Sequence, residues 1–197
     1  ELKTRVENLK AKLQQVLDRL PFFYFGTRLA HFERCADGKE FLKQFQQAFP
    51  AREVLNNLGF CYLQEARRSM KDPMHSEFYW MPLTLDTESR AGSFTRGTDK
   101  ISNRLGNQLN SFETEGYLKE AEFYLKQAVD SDNNYWPAKV NLAITDLYLN
   151  IPNTARDLLK QAEPLVPSAF QNELEALQAV AVYEQSEAGL DLWSNAV

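Results

Sequence analysis

Histidine, cysteine and glycine are scarce in this chain, and each shortage closes off a class of function. Two cysteines, Cys35 and Cys61, are too few for a disulfide scaffold or a four-ligand zinc site. They read as small buried apolar residues, a disulfide being the alternative. Of the two histidines, His31 lies in a Phe-rich helical stretch and reads as a packed or surface residue. His75 stands near Asp72 and Glu77, but two ligand types without Cys or a further His do not make a metal site. There is no surplus of positive charge: 22 Lys+Arg stand against 27 Asp+Glu, for a net charge of −5. A nucleic-acid-binding chain would show a basic surplus or stripe, so no such partner is expected. No apolar run approaches the roughly 18–20 residues that cross a bilayer. Eight Gly and eight Pro in 197 residues mean few hairpins and long regular elements. No Gly-rich phosphate loop follows a strand and no nucleophile–base pair suggests itself. The expectation is therefore no catalytic residue, no metal ligand and no cofactor. The chain begins at Glu1 without an initiator Met or leader. The compartment is read as cytoplasmic, with the periplasm as the open alternative.

What the chain does have is a period. Ala121, Leu125 and Ala128 recur 34 residues later as Ala155, Leu159 and Ala162, and 34 further on stand Gly189, Trp193 and Ala196. In a helix the spacing small-x3-large-x2-small sets one large side chain a turn from two small ones on a single face. A neighbouring helix can then approach closely and receive the large residue between them.

The rest of the chain is read around that repeat. Leu2, Val6, Leu9, Leu13, Val16 and Leu20 alternate spacings of four and three, ahead of Pro21. That predicts an amphipathic helix over 1–20, packed on the next unit or joining an upstream domain; a self-associating coiled coil is the alternative. Residues 21–65 predict paired helices. The first carries Phe22, Phe25, Leu29 and Phe32, and Ala36-Asp37-Gly38 breaks the pattern. The second carries Phe41, Leu42, Phe45 and Phe49 before Pro50, and a third starts near Arg52 and Glu53. Gly59 within it costs roughly 1 kcal/mol against Ala, tolerable where another helix crosses so closely that a Cβ would clash. Gly26, 33 residues earlier, fits the same role. Residues 66–97 lose the helical period and predict an irregular insertion, in which Phe78 to Leu85 can lie extended on the helices and Phe78-Tyr79-Trp80 anchors it or offers a ligand platform. Arg67, Arg68 and Lys71 read as a solvated helix end. Helices resume over 98–197, the first over Thr98 to Ser111 and the next from near Glu115. Pro137 begins another, Asn153 is a candidate N-cap, Pro167-Ser168 begin a further one and Ser186 caps the last. The fold class is all-α.

A helix–turn–helix unit repeated every 34 residues resembles the tetratricopeptide repeat (TPR) family. Leu55, Leu58, Gly59 and Tyr62 match its first-helix pattern. Ala121–Leu125–Ala128 and Ala155–Leu159–Ala162 match its second-helix pattern, with Leu where Phe is usual. Pro50 and Pro167 occupy the late-proline place, Leu142-Ala143 stands for Leu-Gly, and Asp146 replaces the usual Tyr. The resemblance covers roughly 22–65 and 98–197. It implies a right-handed α-α superhelix, a TPR-like solenoid with an irregular insertion, whose first helices line a concave groove. Val197 falls one residue past the last small residue of a second helix, so the chain reads as about five helix pairs cut from a longer solenoid.

The resemblance also implies where a partner would bind. The residue before the Leu-Gly position faces the groove in this family: here Asn57 and Asn141. A carboxamide both donates and accepts, so it satisfies a ligand backbone whatever its sequence, or else stays solvated. Neighbouring groove positions by the same carry-over are Glu53, Phe60 and Gln64, with Ile144 and Tyr148 in the later repeat. A two-carboxylate clamp needs Lys and Arg at fixed positions, and only Lys139 and Arg52 stand nearby. The expected function is a non-enzymatic protein–protein interaction scaffold that takes a peptide or partner segment in the groove. The alternative is the regulatory or substrate-docking C-terminal part of a larger enzyme, because the Leu-Asn-Asn-Leu-Gly helix with its proline-broken insertion resembles the repeat tails of bacterial protease-like proteins.

Overall fold

The heptad-like stripe and the Phe-rich stretch after it do not separate at Pro21. In the computed structural model, which describes residues 1–70, 83–86, 92–95 and 112–194 (the side chains of 92–95 and 185–194 aside), one helix, α1, runs Leu2–His31 with Pro21 inside it. Proline removes the hydrogen bond that residue 21 would donate to the Leu17 carbonyl, which typically costs about 3 kcal/mol. Both residues face solvent, so water can serve that carbonyl. The loss is offset one turn later, where Phe23, Gly26, Thr27 and Ala30 are buried.

Helix α2 spans Cys35–Gln46, and here too the expected break moves. The chain turns at Phe32–Arg34, where Glu33 adopts a φ of 60°, and Ala36-Asp37-Gly38 is the first turn of α2. Asp37 suits the positive end of the helix and accepts from the Arg34 guanidinium at 2.6 Å. Gly38 is there for contact: a Cβ on it would lie 2.9 Å from the Gly26 carbonyl oxygen, and a Cβ on Gly26 would lie 2.8 Å from Leu42. The glycine pair lets the backbones of α1 and α2 touch.

Helix α3 spans Arg52–Ser69, so the expected insertion boundary at residue 66 falls inside a helix. Its last turn is held by burial of Ala66 and of Arg67, whose Nε donates to the Tyr148 hydroxyl at 2.9 Å. Arg68 remains exposed and pairs with Glu33 at 3.2 Å. Within the insertion, β1 (Leu83–Asp86) and β2 (Gly92–Thr95) form an antiparallel pair, Leu83 opposite Thr95 and Asp86 opposite Gly92. The extended segment expected up to Leu85 is thus found over its final residues. The expectations for Lys71, Asp72, His75, Glu77, Phe78 to Met81 and the helix over 98–111 lie outside the described residues.

Helices α4 (Phe112–Ser131), α5 (Trp136–Tyr148) and α6 (Pro152–Ala162) follow, then two single-turn 3-10 helices and α7 (Gln171–Ser194). Asn153 is not the cap of α6: Ile151 precedes its first residue, Pro152, and Asn150 makes the turn at a φ of 59°. Ser186 does not open a new helix either. It lies inside α7, where Ser costs only a few tenths of a kcal/mol and no proline intervenes.

The small-large-small faces form the core. Ala121, Leu125, Ala128, Ala155, Leu159 and Ala162 are all fully buried, and Leu125 fills the space that a Cβ on Gly59 would need. The third set falls where side chains are not described. Each helix packs on the next in sequence, and α3 also meets α5, as α5 meets α7. The fold is mostly helical. Among the described residues no helix is long and apolar enough to cross a membrane.

Candidate binding groove

Helices α3 and α5 both pack against β1, and the contact is made by three carboxamides. Asn141 of α5 accepts from the Thr84 N–H through Oδ1 and donates to the Thr84 carbonyl through Nδ2, each at 2.8 Å. Asn57 of α3 does the same two residues on, accepting from the Asp86 N–H at 2.9 Å and donating to its carbonyl at 2.8 Å. Each amide thus presents the donor and acceptor that a neighbouring strand would present. The i, i+2 spacing arises because alternate residues of a strand turn their backbone groups to the same edge. The other edge, with the backbone groups of Leu83 and Leu85, faces β2.

The carboxamides are themselves locked. Asn56 donates to the Thr84 carbonyl at 3.2 Å and to Asn57 Oδ1 at 3.3 Å, while its Oδ1 accepts from Asn141 Nδ2 at 2.9 Å. The second N–H of Asn57 goes to the Thr27 hydroxyl on α1 at 3.0 Å. Both donors of every carboxamide are therefore used. All three side chains are fully buried, where an unmade hydrogen bond would cost about 1–3 kcal/mol.

Two contacts read side chains rather than backbone. The Thr84 hydroxyl donates to the Pro137 carbonyl at 2.7 Å, in the first turn of α5. The Tyr135 hydroxyl donates to the Asp86 carboxylate at 2.8 Å. Burial pushes the Tyr135 phenol far above its ordinary range, and the adjacent Asp86 charge and its hydrogen bond push it further, so it stays a donor at any physiological pH.

The groove residues expected from sequence divide into two groups. Asn57 and Asn141 are brought together, on the chain's own segment. Phe60, Ile144 and Tyr148 are buried, while Glu53 and Gln64 are half-buried, Glu53 accepting from Arg52 at 2.9 Å. Neither cation considered for a carboxylate clamp is free. The Arg52 guanidinium lies 4.9 Å over the Tyr135 ring and pairs with Glu53 and Asp132. Lys139 is buried against Asn133 Oδ1 and Gln161 Oε1, at 2.8 and 2.6 Å, and burial lowers its pKa.

Asn56, Thr27 and Tyr135 were not expected at the site. The Asn56-Asn57 pair and the apolar–polar alternation of Leu83-Thr84-Leu85-Asp86 carry a signal for the first of them, but four residues are too few to stand out. Among the described residues no cluster of three His, Cys, Asp or Glu could hold a metal. Chemically, the site holds an extended backbone and little else. Set against family models and against curated proteins, the chain matches none.

Proposed function

We propose that this chain is a non-enzymatic protein-interaction scaffold, a TPR-like solenoid whose concave groove takes an extended partner segment by its backbone. The observation that carries the reading is the pair of two-point grips by Asn141 and Asn57 on alternate residues of a strand. Such a grip is indifferent to sequence, and Tyr135 and the Pro137 carbonyl add a preference for Asp and for Thr or Ser at the two gripped positions. The strand held is the chain's own, so the groove is self-occupied at rest and a partner segment enters by replacing β1. An intramolecular segment competes at a high effective concentration, which keeps weak or mismatched partners out. The same reading assigns the chain to the cytoplasm, in keeping with two free, buried thiols.

A labelled synthetic peptide of residues 82–87 tests this by fluorescence anisotropy. Thr84→Pro removes the N–H that Asn141 accepts and frees the groove. The peptide should bind the Thr84→Pro chain at least tenfold more tightly than the unaltered chain, and Asn141→Ala added to it should abolish the gain. A folded Thr84→Pro chain that binds no peptide would sink the reading.

A further inference from the structure

The first half of α1 stands apart from the rest of the molecule. With 30 residues it is about 45 Å long, whereas α2, with 12, covers about 18 Å of it. Arg19 donates to the Gln44 carbonyl at 3.0 Å, which fixes the end of α2 level with residue 19. Beyond that point the aliphatic row continues bare: Leu2, Val6, Leu9 and Leu13 are 79, 43, 66 and 59% exposed. The row then runs into a pocket of about 260 Å³ between Val16, Leu20, Phe23, Phe45 and Phe49.

The charges around this row are sorted. Taking Leu2, Val6, Leu9, Leu13, Val16 and Leu20 as the d and a positions of a heptad, every basic residue over 1–20 falls at e or g: Lys3, Arg5, Lys10, Lys12 and Arg19. Every acidic one, Glu1, Glu7 and Asp18, falls at b, c or f, away from the seam. This positive border occurs in a chain whose net charge is −5. Two copies of α1 pairing along the seam would set Arg5 against Lys10 of the other copy, and like charges at e and g oppose pairing. A helix with Asp or Glu at its own e and g positions would meet opposite charge along both borders.

We propose that this stripe is a docking surface for an amphipathic helix of a partner protein, aliphatic at a and d and acidic at e and g, which takes up the seam where α2 leaves off. The pocket at the end of the row would receive one large apolar anchor from it. A bilayer is the less fitting occupant, because over residues 2–16 the exposed apolar stripe is limited to a and d, the narrow seam of a coiled coil, and holds no Trp or Phe of the kind interfacial helices carry.

The test uses the full chain and two synthetic 21-residue helices, Leu at a and d in both, Glu at e and g in one and Lys in the other. The Glu-bordered helix should bind at least tenfold more tightly by calorimetry, and binding should weaken several-fold between about 0.05 and about 0.5 M salt, as screening requires. Leu9→Asp with Leu13→Asp, both exposed and so harmless to folding, should abolish it. The charge-reversed chain (Lys3→Glu, Arg5→Glu, Lys10→Glu, Lys12→Glu) should prefer the Lys-bordered helix instead. Equal binding of the two peptides, binding of neither, a salt-insensitive homodimer, or association with phosphatidylserine vesicles in place of peptide would each overturn the proposal.

Discussion

Asn141 holds Thr84 by both of its backbone polar groups, a donor and an acceptor at 2.8 Å from one carboxamide. Removing that side chain leaves the Thr84 N–H and the Asn56 Oδ1 buried without these partners. Asn141→Ala should therefore lower unfolding free energy by about 2–6 kcal/mol, two unmade bonds at about 1–3 each. Hydrogen exchange gives the sharper readout. The Thr84 amide should lose protection first, and the Asp86 amide, still held by Asn57, less. Uniform loss across the helices would mean that the grip is not local.

Leu125 fills the place of a Cβ at Gly59. Gly59→Ala should then destabilise by about 1–3 kcal/mol despite the better helix propensity of Ala. Leu125→Ala alone should cost about 2–5 kcal/mol by leaving a cavity. The two together should cost less than their sum, because the new methyl partly fills the hole. Additive losses in urea denaturation would contradict the interlock.

Asp146, on α5, is buried near Glu122 and Lys126. Burial, and then repulsion from Glu122, push its pKa up to about 7, with Lys126 opposing. Against an unfolded value of about 3.9, the native state binds the proton more tightly. The stability that Asp146 contributes is therefore greatest below about pH 4 and is lost as pH rises through about 7. Asp146→Asn should match the parent near pH 4 and exceed it by roughly 2–4 kcal/mol at pH 8. A constant difference across that range would show that the carboxyl is not perturbed.

Burial, and then the hydrogen bond that the Cys61 thiol donates to Cys35, hold it well above its ordinary range. Neither cysteine should react with Ellman's reagent at pH 8 in the folded protein, and both should react in denaturant. Fast reaction of one thiol in the native state would show an opening at the contact of α2 with α3.

What could be read from residues alone was whatever repeats at helical spacing. The faces built on Ala121 and Ala155 and the close approach at Gly59 needed only the identity of a few residues at fixed intervals. Helix ends were less legible, since Pro21 and Ala36-Asp37-Gly38 both look like breaks. Each is overridden by packing nearby: Phe23 and Ala30 beyond the proline, and the Gly26–Gly38 contact for the glycine. The site around β1 was half legible. Asn57 and Asn141 could be picked out, but their occupant lies 29 and 57 residues away in the chain. No local pattern in Leu-Thr-Leu-Asp reports which helices its backbone will meet.

A stack in which each helix touched only its neighbours in sequence would unravel from either end, a unit at a time. The strand bonded at once to α3 and α5 forbids that here. To free either helix is also to strip a buried hydrogen-bonded strand from the other, and through Asn57 and Thr27 the same network reaches α1. Melting of the region from α1 to α5 should accordingly be one concerted event rather than a gradual fraying, and any ligand that pulled β1 away would loosen the whole stack, not only the place it touched.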